Sequence, residues 1–152
     1  MSAEESKALL HRFIEGWNSG DMETLNRVID ETVDANFVNH SAANPEEGRG
    51  PEGVKAVFGA FREAFPDGHT TIEAMVAEGD TVVSRWTFQG THENEFVGVA
   101  ATGRQVSLSG INIDRIVDGK FVERWYEMDR LGLMQQLGVI PAPGQSEEAS
   151  PT

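Results

Sequence analysis

The feature that most constrains the fold of this chain is a change of hydrophobic period at Pro66-Asp67-Gly68. Before this break, apolar residues recur every three to four positions, as they do on one face of an amphipathic α-helix. After it, apolar and polar residues alternate, as in β-strands that bury one face. Helices followed by a run of adjacent strands predict an α+β domain, with a curved antiparallel sheet wrapped around three N-terminal helices.

Helix-start signals define the first half of the chain. Ser2 and Glu5 have the spacing of a capping box, and an apolar stripe runs from there to Trp17. Asp21 suits the N-cap of a second helix, and Pro51 suits the first turn of a third. Between the second and third helices we expect a short strand over Ala35–His40 and a polar loop from Ser41 to Gly50.

The second half of the chain predicts four strands, over His69–Glu78, Thr81–His92, Gln105–Val117 and Phe121–Met128. Asp118-Gly119 favours a tight hairpin between the last two strands. Asp129 suits the N-cap of a last short helix that ends at Gly138. We therefore predict one domain over residues 1–140 and a polar, disordered tail over residues 141–152.

Composition excludes several classes of function. The 152 residues contain 25 acidic and 12 basic side chains and have a net charge of −13, which disfavours binding to nucleic acid or to anionic membrane surfaces. Without cysteine the chain has no disulfide, thiolate metal site or cysteine nucleophile. No histidine pair has metal-ligand spacing, so we expect no metal site. No segment reads as a membrane span or signal peptide, and we expect a cytoplasmic protein.

Several short motifs, taken in order, carry a family resemblance: Gly90-Thr91-His92, Phe96-Val97-Gly98, Thr102-Gly103, the run from Arg115 to Lys120, Asp129, Gly132-Leu133 and Gln136-Leu137-Gly138. Together they resemble the SnoaL-like polyketide cyclase (ester cyclase) family, over roughly residues 6–138. The resemblance implies an NTF2-like α+β cone that dimerises through the outer face of its sheet. It also implies intramolecular aldol closure of polyketide rings without a cofactor, on a hydrophobic, polyketide-like substrate.

The same resemblance suggests which positions are functional. The family's general acid/base aspartate, near the end of the last strand, falls at Tyr126. A family histidine on the preceding strand falls at Asn112, and a family glutamine falls at Gly110. The pocket asparagine of the first strand is retained as Asn39. The usual cyclase acid/base residues are therefore replaced in this chain.

Strand alternation gives an independent list of catalytic candidates. If Tyr126 faces the pocket, Arg124 and Met128 face it too, and Asn112 and Asp114 share the inner face of the preceding strand. A tyrosine hydroxyl is a good hydrogen-bond donor to a developing enolate oxygen. Tyr126 is either this donor or a packed ring whose hydroxyl bonds to Asn112 or Asp114. Asp114 is one candidate base.

His40, at the end of the first strand, is the other candidate base, unless it is simply a solvated loop histidine. We expect Asn39 and Asn112 to position the substrate, and Trp86, Phe61 and Met128 to form the apolar wall against it. Arg85 either enters the pocket or pairs with an acid at its edge.

These residues predict a cofactor-free enzyme that performs acid/base chemistry at a carbonyl, such as cyclisation or isomerisation. Two alternatives remain open, a non-catalytic protein that binds a hydrophobic metabolite and an epoxide hydrolase-like enzyme. The epoxide-opening chemistry requires an Asp–Arg–Asp site, and Tyr126 stands where one of these acids is needed. An apolar strip of Ile111, Ile113, Val117 and Trp125 on the outer sheet face predicts a homodimer.

Overall fold

The structure, a computed structural model, describes residues 2–42, 47–142 and 144. Four helices and five strands follow one another along the chain, and the predicted α+β class is confirmed. The helices are α1 (Ala3–Asn18), α2 (Met22–Thr32), α3 (Gly50–Ala64) and α4 (Arg130–Gln136). The strands are β1 (Val33–Asn39), β2 (His69–Glu78), β3 (Thr81–Thr91), β4 (Gln105–Val117) and β5 (Lys120–Met128).

The helix starts agree with the capping signals of the sequence. Ser2 accepts a hydrogen bond from the Glu5 backbone N–H, and the Glu5 carboxylate accepts one from the Ser2 backbone, so the capping box is complete. Asp21 caps α2 through the Glu23 N–H, and Asp129 caps α4 through the Gly132 N–H. These local bonds satisfy backbone donors that a helix start otherwise leaves unpaired.

The five strands form one open, curved sheet in the order β1-β5-β4-β3-β2. Strands β2 to β5 pair as consecutive antiparallel neighbours, as expected from their short connections. The sheet is not wholly antiparallel, however, because β1 pairs in parallel with β5. β1 therefore runs in the same direction as β5 and forms one edge of the sheet, while β2 forms the other edge.

The helices cover the concave face of this sheet, and the core lies between them. Phe13 of α1 packs edge-to-face against Phe58 of α3 and Phe121 of β5, with ring centroids 5.2 and 5.7 Å apart. Directly after α3, Phe65 packs against Phe88 of β3 with ring centroids 5.4 Å apart. Aromatic side chains therefore join the helices to the sheet along its length.

Two predicted segments fall partly outside the described residues. Residues 43–46 of the expected polar loop and residues 143 and 145–152 of the expected tail are not among those described. No helix in the described part of the chain is long and apolar enough to cross a membrane.

Candidate active site

An apolar recess lies between the helices and the concave face of the sheet. Its empty space is about 1030 Å³ when the open solvent at its mouth is included. Its walls are mainly apolar and aromatic, with Phe13 and Trp17 from α1, Phe58 and Phe61 from α3, and Trp86 from β3 among them. Such a recess suits a flat, largely apolar organic molecule.

Polar side chains enter this recess from the sheet. Arg124, Tyr126 and Met128 line it from alternate positions of β5, and Asn112 lines it from β4. Asn39 joins them from the end of β1, since β1 lies directly beside β5. Alternation along β5 therefore brings together the residues that it predicted, and Trp86 and Phe61 form part of the same wall.

Tyr126 is held by contacts at its backbone and at its hydroxyl. Its backbone N–H donates to the Ser41 Oγ at 2.8 Å, which ties the chain after β1 to β5. Its hydroxyl oxygen accepts a hydrogen bond from the Arg130 Nη2 at 2.7 Å. No hydrogen bond joins this hydroxyl to Asn112 or Asp114, the partners expected for a purely structural tyrosine. Because Arg130 can only donate, the hydroxyl proton of Tyr126 is left to donate elsewhere.

Asn112 is oriented by its neighbour Trp86. The Trp86 Nε1–H donates to the Asn112 Oδ1 at 2.9 Å, so the amide NH₂ of Asn112 is left as the group for a ligand. The Trp86 ring fits because residue 110 on the adjacent strand is glycine: a Cβ at Gly110 would overlap the indole. The Asn39 Oδ1 likewise accepts from the Ser41 N–H at 3.0 Å, which leaves the Asn39 NH₂ as a donor.

Behind the cavity wall lies a buried ion pair. The Arg124 Nε donates to the Asp114 Oδ1 at 2.6 Å, and the side chains of Arg124 and Asp114 are 12% and 0% exposed. Burial raises the pKa of Asp114 above its ordinary value, and the Arg124 guanidinium opposes that rise. Asp114 does not itself line the cavity, so it reaches a ligand only through Arg124.

Two of the proposed site residues lie elsewhere. His40 stacks on Trp125 with ring centroids 4.6 Å apart and contacts Glu123 at 3.2 Å, on the outer face of the sheet. The His40 backbone N–H donates to the Arg124 carbonyl, so residue 40 continues the extended chain of β1. Successive side chains of an extended chain point to opposite faces, so His40 points outward while Asn39 lines the recess. Arg85 is exposed on the outer side of β3, opposite Ile111, and in the described part of the chain no acid pairs with it.

Two relevant residues were missed by sequence reasoning as site candidates. Strand alternation placed Arg124 on the inner face of β5. It could not show that Asp114 would accept a hydrogen bond from the Arg124 Nε alone and leave the two NH₂ groups without a partner. Arg130 follows the last strand, and its position four residues after Tyr126 was the available signal. Among the described residues, the cavity lining contains no carboxylate or imidazole, and no cluster of acids and histidines could hold a metal ion.

A family model places this geometry among known proteins. Residues 7–137 match the model of the SnoaL-like polyketide cyclases, and the chain belongs to this family. The fold and the sequence agree on this class, which confirms the expected resemblance.

Particular relatives narrow the comparison to enzymes. The chain is 33% identical to an aklanonic acid methyl ester cyclase of Streptomyces peucetius, over 86% of this chain and 88% of the relative. It is 31% identical to an aklanonic acid methyl ester cyclase of Streptomyces sp. (strain C5), over 86% of this chain and 80% of the relative. The structure of TsrD from Streptomyces laurentii superposes with a TM-score of 0.82 at 33% identity, covering 92% of this chain and 99% of TsrD. The named relatives are enzymes of the cyclase type, in agreement with the enzyme expected from the sequence.

Proposed function

We propose that this protein closes a ring in an aromatic polyketide ester by an intramolecular aldol reaction without a cofactor. The observation that carries the proposal is the set of hydrogen-bond donors that faces an apolar recess. In four residues of this set, protein partners occupy some polar atoms and leave N–H or O–H groups for the ligand. The occupied atoms are the side-chain oxygens of Asn39, Asn112 and Tyr126 and the Nε of Arg124. Donors in an apolar site stabilise oxygen atoms on which negative charge develops.

The ring closure follows from these donors. A C–H bond between two carbonyl groups loses its proton to water at the open mouth, and the donors stabilise the enolate. The enolate carbon attacks a second carbonyl of the same molecule, and the π electrons of that carbonyl move to its oxygen. Tyr126 protonates this alkoxide, which is much more basic than a phenolate. Water then returns the proton to Tyr126, so that the overall reaction is an isomerisation.

Arg130 supports this role of Tyr126. Its guanidinium donates to the phenolic oxygen at 2.7 Å, and this bond strengthens when the oxygen becomes a phenolate. A positive neighbour therefore stabilises the form of Tyr126 that exists after proton donation. His40 contacts Glu123 and stacks on Trp125 on the outer face of the sheet, away from the recess, and the proposal assigns it no step.

Substitution of Tyr126 by Phe tests this function. With aklanonic acid methyl ester as the first substrate, we expect turnover to fall about 100- to 1,000-fold while KM changes little, because the lost donor acts mainly in the transition state. Chromatography separates the cyclised product from its isomeric substrate. Met128→Leu, on the same face of β5, removes no hydrogen bond and should retain most of the turnover.

A second candidate function is binding without catalysis. The absence of a carboxylate or imidazole from the described cavity lining favours it, since a binder needs no proton acceptor. In that case Tyr126→Phe should change ligand affinity by about 1 kcal/mol, and the wild type should show no turnover with any cyclisable ester. The same experiment therefore separates the two functions.

We also propose that the protein acts as a cytoplasmic homodimer. Ile111, Ile113 and Trp125 are 48%, 40% and 40% exposed on the convex face of the sheet, and Val117 of β4 is exposed as well. A second copy that covers this strip would remove it from water without blocking the recess on the opposite face.

A further inference from the structure

We propose that Arg124 binds a delocalised oxyanion of the ligand, of the kind formed by a 1,3-dicarbonyl enolate or an ionised hydroxyquinone. The inference rests on the proposed function and deepens it, since it assigns the charge state and chemical class of the bound substrate. It also makes Arg124 a substrate-binding residue and Asp114 a positioning residue that acts through it.

The hydrogen bonding of Arg124 is the first observation. A guanidinium has five N–H donors in one plane, and a paired arginine commonly places two parallel N–H groups on the two oxygens of one carboxylate. Here Asp114 takes the Nε alone, at 2.6 Å, and within the described residues the Arg124 side chain has no other hydrogen-bond partner. The two terminal NH₂ groups are therefore available on a residue that lines the cavity.

The surroundings of Arg124 make these free donors significant. The side chain is 12% exposed, and its guanidinium carbon lies 5.9 Å from the Phe121 ring centroid and 6.0 Å from that of Phe37. Free N–H groups in such an apolar setting lack the water that would otherwise satisfy them. A ligand with two oxygens in one plane would satisfy both NH₂ groups, because the fork matches planar, bidentate acceptors.

Asp114 explains why the arginine is held in this position. It is fully buried, and its Oδ2 has no hydrogen-bond partner among the described residues. The carboxylate therefore fixes the Nε of the guanidinium and leaves its two NH₂ groups without a hydrogen-bond partner among the described residues. Among the described groups that face Arg124, the charged one is Asp114 on β4. Tyr126 lies further along β5, and its partner Arg130 follows in α4. Helices α1 and α3 contribute apolar side chains to this wall.

Alizarin is a suitable probe, because it is a flat dihydroxyanthraquinone whose visible spectrum changes when it loses a phenolic proton. Its pKa when bound reports the charge around it without any turnover. Arg124→Met alone leaves a buried, unpaired Asp114 and risks unfolding, so the main variant is the charge-free double substitution Asp114→Leu with Arg124→Met. Circular dichroism verifies the fold of each variant.

We expect the pKa of alizarin bound to the wild type to be at least about one unit below that of alizarin bound to the double variant. Asp114→Asn keeps an acceptor for the Nε but removes the opposing charge, so it should lower the pKa of the bound dye further. Because Asn has nearly the shape of Asp, this additional shift would report the charge of Asp114 and not its packing. Arg130→Gln, which removes the other nearby cation, should retain most of the difference.

Equal pKa values in the wild type and the double variant would overturn the inference, as would a shift that Arg130→Gln abolishes. Failure of the wild type to bind alizarin would overturn it as well. The outcome is separable from that of the proposed function. A wild type that lowers the dye pKa but cyclises no ester contradicts the ring closure alone, and one that cyclises without the shift contradicts the oxyanion site alone.

Discussion

Two arginine–carboxylate pairs lie next to each other on β4 and β5, but on opposite faces of the sheet. Asp114 pairs with Arg124 on the concave face and Arg115 pairs with Glu123 on the convex face, both at 2.6 Å. The buried pair is 0% and 12% exposed, and the outer pair 40% and 28%. Burial raises the pKa of Asp114, whereas hydrogen bonds from Arg115 and His40 lower the pKa of Glu123. Access to water, more than distance, decides what such a pair does.

Breaking the inner pair should have the largest effect on stability. Arg124→Met leaves the carboxylate of Asp114 buried without a partner, and we expect it to lower the free energy of unfolding by about 3–5 kcal/mol at pH 7. Urea denaturation measures the change. Adding Asp114→Leu removes the stranded charge and should recover most of the loss.

The pH dependence of this loss has a definite sign. A carboxyl whose pKa in the folded state lies above its unfolded value destabilises the fold at pH values above the folded pKa. Without Arg124, the pKa of Asp114 should rise further. The gap between wild type and Arg124→Met should therefore narrow as the pH falls toward about 4, the unfolded pKa of aspartate. A gap that widens on acidification would contradict the assignment of Asp114 as a buried, ionised partner.

The convex face should matter for assembly instead. Ile113→Asp introduces a charge into the proposed dimer strip, twice over in a symmetric interface, and should raise the dimer dissociation constant about a hundredfold. Sedimentation equilibrium measures that constant. Ala8→Asp, an exposed position on α1, is the matched control and should leave it unchanged. A wild type that is monomeric at micromolar concentration would exclude the dimer.

The smallest effect is expected from the outer pair. Glu123→Gln should lower the melting temperature by about a degree at pH 7, because solvent screens an exposed pair. The pKa of Glu123 is lowered in the folded state, so its contribution is present above the unfolded value of about 4.3 and is lost as the pH falls through the folded pKa. Melting curves of the two proteins should therefore converge near pH 3. A difference that persists there would implicate packing rather than charge.

Much of the fold followed from local patterns in the sequence. The capping box at Ser2 and Glu5, the caps at Asp21 and Asp129, and the alternation along β4 and β5 all involve residues close in sequence. Alternation also predicted that Arg124 and Met128 share a face of β5 with Tyr126, since a strand's side chains change face at every residue. These features depend on neighbouring residues and were predictable from them.

What could not be predicted depended on pairing between distant segments. The parallel β1–β5 pairing turned His40 away from the recess, and no local feature of Ala35–His40 indicates a direction. The Asp114–Arg124 contact depends on the β4–β5 register, which shifts between Arg115 and Ile116. The Arg130–Tyr126 bond forms where β5 gives way to α4. A single sequence carries little information on such long-range geometry.

The close fit of Gly110 against Trp86 has a consequence for how this scaffold can diversify. Any larger residue at position 110 must push the indole inward, and the indole in turn holds the Asn112 amide. The volume of the recess and the orientation of the Asn112 amide are therefore coupled, because a substitution that changes one also changes the other. Laboratory evolution toward bulkier or smaller ligands would have to change positions 86 and 110 as a pair, and single-site libraries at either would mostly return inactive members.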